Sequence, residues 1–133
     1  LGLRYAVSVR RENHVPVTEV KVTKAKDLKP YLEKLVSSYH KVAVITKTDD
    51  EAEDVYQSLH EDFEELRLLR DSGVQFMGNL VIVPSYLAKG LEFDAVIIYT
   101  EEIDPYQQEE KYLYYVAVTR AQHCLVLVNQ QSW

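Results

Sequence analysis

Residues 81–98 read VIVPSYLAKGLEFDAVII, two apolar runs joined by a polar connection that contains Gly90. Continuous apolar runs rich in Val and Ile are typical of strands that are buried on both faces of a sheet. Another such run, Val42 to Ile45, lies earlier in the chain. Segments with helical spacing of apolar residues lie between runs of this kind. The sequence therefore predicts an α/β domain with a mainly parallel sheet flanked by helices.

The other elements are predicted from periodicity and from turn residues. The predicted strands are Thr18 to Thr23, Lys41 to Thr46, Leu66 to Leu69, Leu80 to Val83, Ala95 to Tyr99 and Cys124 to Val128. The predicted helices are Asp27 to Tyr39, with Asp27 as its cap, Asp49 to Asp62, and about Gln108 to Gln122. Thr48 and Glu51 form a capping-box pattern before the second helix. We expect one compact domain over residues 1–133.

Composition narrows the function classes. The chain has 133 residues and a net charge of −6, so we expect this piece alone to repel a phosphate backbone on average. No apolar run approaches the roughly 18 residues of a membrane span, so no membrane partner is predicted. The single cysteine, Cys124, excludes an internal disulfide, predicts a cytoplasmic protein and is expected to be a core residue. Leu1 in place of Met suggests a piece of a longer protein.

The spacing of residues in the sequence argues against a phosphate loop and against a metal site. No glycine is followed by lysine, so the chain has no Gly-Lys-Ser/Thr phosphate loop. The four histidines are scattered, and no metal site is predicted. Asp50, Glu51 and Glu53 resemble a magnesium cluster, but they fall in the first turn of a predicted helix. Carboxylates favour the positive end of a helix dipole, so we interpret these acids as capping residues.

Two segments carry residues that suit ligand chemistry. After the strand that ends at Val83, Lys89 offers a cation, Gly90 allows close backbone approach, and Glu92 can accept hydrogen bonds from ribose hydroxyls. Spacing alone is equally compatible with a second interpretation, in which Lys89 and Glu92 are turn residues that face the solvent. Arg120 lies on the apolar stripe of the last predicted helix. It either neutralises the end of the helix dipole or reaches toward a phosphate.

Residues 88–93, AKGLEF, and residues 115–121, YVAVTRA, resemble motifs V and VI of the UvrD/Rep branch of superfamily-one helicases. The Tyr86-Leu87 lead-in, and Val9-Arg10-Arg11 ahead of Val15-Pro16-Val17, are more similar to the helicase IV (HelD) group. The resemblance implies the second, C-terminal RecA-like domain (2A) of an ATP-dependent DNA helicase. The phosphate loop and the catalytic base would lie on a first RecA-like domain, so this piece alone is predicted to be inactive.

The resemblance also implies residue roles. Arg120 would be the arginine finger that reaches the γ-phosphate, and Gly90 and Glu92 would lie near the phosphates and the ribose, beside Lys89. Val42 to Thr48 aligns with motif IV, whose arginine would fall at Lys47, so Lys47 would be a catalytic residue that acts on the phosphate with Arg120. The implied ligands are ATP and Mg²⁺, held mainly by the first domain. Tyr86, with Ser85 before it, stands where motif V contacts DNA, so the implied partners are that first domain and single-stranded DNA.

Two other functions stay open at the level of sequence. A HelD-like ATPase would use the same motor to remodel or recycle RNA polymerase, which would then be the partner. The acidic balance of the chain favours that alternative somewhat. A non-enzymatic interaction module with degenerate motifs is the second alternative, and the missing phosphate loop favours it.

Overall fold

The computed structural model describes residues 17–70, 78–88, 90–100 and 119–129. These residues form a sheet of six strands in the order β1-β6-β5-β2-β4-β3, and every neighbouring pair is parallel. The strands are β1 (Val17–Lys21), β2 (Val42–Thr46), β3 (Leu66–Leu68), β4 (Leu80–Pro84), β5 (Phe93–Thr100) and β6 (Ala121–Asn129). The predicted α/β fold with a mainly parallel sheet is confirmed.

Two α-helices are described, α1 (Lys29–Ser38) and α2 (Asp49–Leu59). Short 3₁₀ helices at Ala25–Leu28 and Ser85–Leu87 precede α1 and follow β4. The capping box of α2 is confirmed: Thr48 Oγ1 accepts from the Glu51 amide at 3.1 Å, and the Glu51 carboxylate accepts from the Thr48 amide at 3.3 Å.

The predicted cap of the first helix is wrong. The carboxylate of Asp27 accepts from the amides of Thr23 and Lys24 at 3.0 and 3.1 Å, so it closes the turn before the 3₁₀ helix. The α-helix itself begins at Lys29, and Pro30 lies in its first turn. Proline is tolerated there because its missing amide would have no partner within the helix.

The core lies on both faces of the sheet, which explains why the central strands are apolar at every position. Every residue of β2 is buried. Val42 and Val44 face the helices, where they pack with Leu32 of α1 and Val55 of α2. Ala43 and Ile45 belong to the cluster on the opposite face. Full burial of each such Val or Ile side chain stabilises the fold by about 1.5–3 kcal/mol.

The last predicted helix ends earlier than expected. β6 begins at Ala121, which pairs with Phe93, so the predicted helix end at Gln122 is wrong. Gln122 and His123 are exposed although they lie within a strand, and this polar start of β6 weakened its apolar signal. Residues 108–118 of that predicted helix lie outside the described residues, as do residues 9–11 of the helicase IV resemblance. None of the described helices is long and apolar enough to cross a membrane.

Because all strands are parallel, the sheet has two distinct edges. The amino-terminal edge carries the residues that precede β5 and β6, Leu91 and Arg120 among them. The carboxyl-terminal edge carries the residues that follow β2 and β4, Lys47 and Ser85 among them. The candidate site residues predicted from the sequence are therefore distributed between these two edges.

Candidate functional site

Arg120 lies at the amino-terminal edge, directly before β6, and is half-buried. Its Nη1 donates to the carbonyl oxygen of Leu91 at 3.3 Å, and its Nε donates to Thr119 Oγ1 at 3.4 Å. Within the described part of the chain, these contacts use two of the five N–H groups of the guanidinium. The remaining donors form the planar fork that matches a phosphate or a carboxylate.

Gly90 and Glu92 lie on the neighbouring segment of the same edge. Gly90 has φ of +85°, and a Cβ placed on it would meet nothing within 4 Å. The backbone is therefore open to close approach by a ligand at this point. Glu92 is exposed, and its Oε2 accepts from Gln122 Nε2 at 3.0 Å. Lys89 lies outside the described residues.

These contacts bring the two candidate segments together. Residues 90–92 and residues 119–122 are joined by the Arg120–Leu91 and Gln122–Glu92 hydrogen bonds, across 29 and 30 positions of sequence. The edge thus presents a cationic fork, a carboxylate and an open stretch of backbone side by side. A cation can bind a phosphate oxygen and a carboxylate can accept from hydroxyls, so this set suits a nucleotide.

The structure does not bring Lys47 to this group. Lys47 directly follows Thr46, which pairs with Tyr99, whereas Arg120 directly precedes Ala121, which pairs with Phe93. Phe93 and Tyr99 lie six positions apart in β5, which corresponds to about 20 Å along the strand. Lys47 and Arg120 therefore do not converge on one phosphate group within this domain. Thr46, which directly precedes Lys47, is fully buried, and its Oγ1 donates to the Thr48 carbonyl at 2.9 Å.

Tyr86 lies at the carboxyl-terminal edge with 54% of its surface exposed. Its hydroxyl contacts both carboxylate oxygens of Asp49, at 2.9 and 3.0 Å. The contact orients the ring, and an exposed, oriented aromatic ring is a platform on which a nucleic-acid base can stack. Ser85 is only 6% exposed and offers little surface to such a strand.

Glu51 does more than cap a helix. It is only 6% exposed, and its Oε2 accepts from Thr100 Oγ1 at 2.9 Å, while Oε1 accepts from the Lys47 and Thr48 amides at 3.0 and 3.3 Å. The carboxylate thereby joins the ends of β2 and β5. Sequence reasoning found the cap but missed the Thr100 contact, for which the only signal is a threonine at the end of a buried strand.

The remaining candidates are two acids of α2 and the thiol of Cys124. Asp50 is exposed, and Glu53 pairs with Arg70 at 3.0 Å. No group of three potential metal ligands occurs among the described residues. Cys124 is half-buried beside the helix-facing core. Burial raises the pKa of its thiol, although a hydrogen bond with Tyr39 and the charge of Lys34 act in the opposite direction.

The decisive comparison is with protein families. The model of the UvrD-like helicase C-terminal domain matches residues 17–132 of this chain. The chain belongs to this family. The match includes both edges of the sheet, so the residues at Gly90, Glu92 and Arg120 lie inside a helicase C-terminal domain. A comparison with curated proteins gives no match.

Solved structures agree with this family. This UvrD-like helicase C-terminal domain is similar to the C-terminal domain of a possible DNA helicase from Lactobacillus plantarum WCFS1, with a TM-score of 0.71 and 29% identity. The match covers 96% of this chain and 83% of that one. The helicase nonstructural protein 10 of an arterivirus, solved in complex with DNA, shares the fold with a TM-score of 0.57 and 8% identity. That match covers 96% of this chain and 30% of the viral chain.

Proposed function

We propose that this chain is the second motor domain of an ATP-driven DNA helicase or translocase. In this proposal it completes an ATP site whose phosphate loop, Mg²⁺ ligands and catalytic base lie on a first RecA-like domain of the same protein. The Arg120–Leu91 hydrogen bond carries the proposal, because it places the guanidinium on the segment that holds Gly90 and Glu92. An arginine fixed beside an open backbone and a carboxylate suits a triphosphate that is bound from the opposite side of a cleft.

Each candidate residue at the amino-terminal edge has its own proposed role. Arg120 contacts the γ-phosphate, where an arginine compensates the charge of the transition state. The open backbone at Gly90 lets the nucleotide approach closely, and Glu92 accepts from the ribose hydroxyls. Lys89 belongs to the same proposed group by its position in sequence. Bound ATP then draws the two domains together, and hydrolysis releases them, so that repeated closure drives stepping along a strand.

The two sheet edges suggest separate tasks. Lys47 was expected to act with Arg120 on the phosphate, but the distance along β5 separates them. We propose instead that Lys47 and Tyr86 belong to a nucleic-acid edge at the carboxyl ends of β2 and β4. The exposed Tyr86 ring supports this role. Exposed Asp49 and Asp50 lie at the start of the adjacent helix and disfavour phosphates there, so the contact is proposed to be base stacking.

Substitution of Arg120 tests the ATP-site proposal. We expect Arg120→Ala in the full-length protein to lower the rate of ATP hydrolysis by about 10³–10⁵-fold, the usual contribution of an arginine finger. Arg120→Lys keeps the charge but loses the fork, so most of that loss is expected to remain. Arg70→Ala is the matched control, because Arg70 is an exposed arginine that pairs with Glu53 on the surface. Turnover by Arg120→Ala within about threefold of the unsubstituted protein would contradict the assignment.

The nature of the work done by the motor needs a second experiment. The similarity to the helicase IV group and the net charge of −6 favour a second candidate function, remodelling of RNA polymerase. ATP hydrolysis by the full-length protein distinguishes the two when it is measured with single-stranded DNA or with RNA polymerase. A large rise with DNA alone supports the helicase, and a rise only with polymerase supports remodelling. No turnover under any condition would leave a non-enzymatic module.

A further inference from the structure

A basic surface stands out on an otherwise acidic chain. Residues 21–39 contain five lysines and two acids, a net charge of +3 within a chain of net charge −6. The lysines are Lys21, Lys24, Lys26, Lys29 and Lys34, and all except Lys29 are exposed. Such a local excess of positive charge on a chain of opposite sign marks a candidate surface for a polyanion.

The nearby acids do not neutralise this surface fully. The Asp27 carboxylate is engaged with two backbone amides, and Lys29 is paired with Asp62 at 3.4 Å. Within the described part of the chain, Lys21 and Lys26 form no ion pair with a carboxylate. Both line a shallow cleft of about 400 Å³, together with Lys29.

The cleft continues into an apolar groove. Tyr31 lines the cleft and also a second cavity of about 260 Å³ between α1 and the neighbouring strands β1 and β6. Apolar side chains dominate this groove, and the residues that line it include Val20, Leu35, Val126 and Tyr39. Lys34 contributes a cation to its rim. Cations beside an apolar and aromatic surface are the combination that single-stranded nucleic acid uses, with phosphates on lysines and bases on rings.

We propose that this lysine–tyrosine groove, formed by the end of β1, the 3₁₀ turn and α1, binds single-stranded nucleic acid. The inference rests on the proposed function, since it extends the nucleic-acid contact beyond Tyr86. Lys21 pairs with Asn129 in the sheet, and Asn129 pairs with Thr100 at the end of β5. Lys21 therefore lies at the same carboxyl-terminal edge as Tyr86. A duplex fits this groove poorly, because its bases face each other rather than the apolar floor. Charge complementarity, together with the half-buried rings of Tyr31 and Tyr39 that line the groove, favours a single strand over other polyanions.

The test is the salt dependence of binding. Lys21→Gln/Lys26→Gln in the full-length protein is compared with Lys41→Gln/Arg70→Gln, which removes two exposed cations elsewhere. The probe is a fluorescein-labelled oligothymidylate, measured by anisotropy between 0.1 and 1 M salt. Loss of two phosphate contacts lowers the slope of log K against log salt by about 1.4, which corresponds to about 25-fold weaker binding at 0.1 M and little change at 1 M. The control pair is expected to keep the slope of the unsubstituted protein.

Any other outcome contradicts the inference, and each outcome indicates a different explanation. Equal losses in both pairs would show a general charge effect, and no loss in the groove pair would show that the strand binds elsewhere. Competition by poly-glutamate as strong as by unlabelled oligothymidylate at equal charge would show that the groove takes any acidic polymer. If the groove pair leaves oligothymidylate binding intact but abolishes stimulation by RNA polymerase, the groove binds an acidic protein.

Failure of the proposed function gives a different result. In that case the unsubstituted protein does not bind oligothymidylate at all. If it binds and Tyr86→Ala weakens the complex while the groove pair does not, only the present inference fails.

Discussion

Thr100 Oγ1 donates a hydrogen bond to the carboxylate of Glu51 across 49 positions of sequence, at 2.9 Å. Thr100 is fully buried, and Glu51 also accepts from two backbone amides at the end of β2. A buried carboxylate is tolerated only where its hydrogen-bonding capacity is filled. This contact therefore fixes the carboxyl-terminal edge of the sheet and the start of α2 relative to each other.

Removal of the Thr100 hydroxyl is expected to destabilise the protein. Thr100→Val keeps the side-chain shape but removes this donor from a buried carboxylate, which costs about 1–3 kcal/mol. The free energy of unfolding, measured by urea titration, is expected to fall by that amount. Thr18→Val is the matched control on an exposed position of β1, and it is expected to stay within about 0.5 kcal/mol of the unsubstituted protein. Equal stability of both variants would show that the contact contributes nothing.

The Tyr86 ring and its hydroxyl have separable roles. Tyr86→Ala is expected to weaken binding of single-stranded DNA by the full-length protein by about 1–3 kcal/mol, the usual contribution of a stacked base. Tyr86→Phe keeps the ring and removes the hydroxyl with its contact to Asp49. Its affinity is therefore expected to remain within about threefold of the unsubstituted protein. Anisotropy of a labelled oligonucleotide measures both, and unchanged binding by Tyr86→Ala would contradict the stacking role.

Gly90 is required by its backbone conformation rather than by lack of space. Its φ of +85° is unfavourable for residues with a Cβ, but a Cβ there would meet nothing within 4 Å. Gly90→Ala is expected to lower the free energy of unfolding by about 1–2 kcal/mol through backbone strain alone. Gly90→Asn is expected to cost less, because asparagine adopts this region more readily. Thermal unfolding measures both, and a costless Gly90→Ala would show that the segment relaxes.

Cys124 is expected to react slowly with alkylating agents. Burial raises the pKa of its thiol, so less of the reactive thiolate is present at neutral pH than in a solvent-exposed cysteine. Tyr39→Phe removes the hydrogen bond that favours the thiolate and is expected to slow iodoacetamide labelling further. Labelling followed by mass spectrometry at several pH values measures this, and a rate equal to that of a free thiol near pH 7 would contradict it.

The same pKa shift links stability to alkaline pH. The folded state holds the thiol proton more tightly than the unfolded state, because the thiol pKa is raised on folding. The contribution is fully present below the ordinary thiol pKa, and it is lost as pH rises through the folded pKa. Cys124→Ser removes this titration, so its urea midpoint is expected to fall less steeply than that of the unsubstituted protein at alkaline pH. Identical pH profiles would exclude the linkage.

Local sequence determined the elements that depend on nearest neighbours. The apolar runs at Val42 to Ile45 and Leu80 to Val83 form buried strands because nothing polar interrupts them. The Thr48–Glu51 pair caps α2 because both partners lie within one turn. Asp27 was misassigned because a 3₁₀ turn precedes the α-helix, and periodicity does not distinguish these two helices at their junction. The start of β6 was missed because exposed Gln122 and His123 interrupt its apolar pattern.

By itself, the sequence of this protein determined the parallel α/β fold and two short motifs, and those motifs predicted a UvrD-like helicase domain. Both follow from residues that are close together in the chain. Only the tertiary structure decided that Arg120 meets Leu91 at one edge of the sheet, while Lys47 lies at the other. It also assembled the lysine–tyrosine groove from the end of β1, the 3₁₀ turn and α1. The reason is physical: strand order and register set distances between remote residues, and in a parallel sheet they arise from long-range packing that no local pattern encodes.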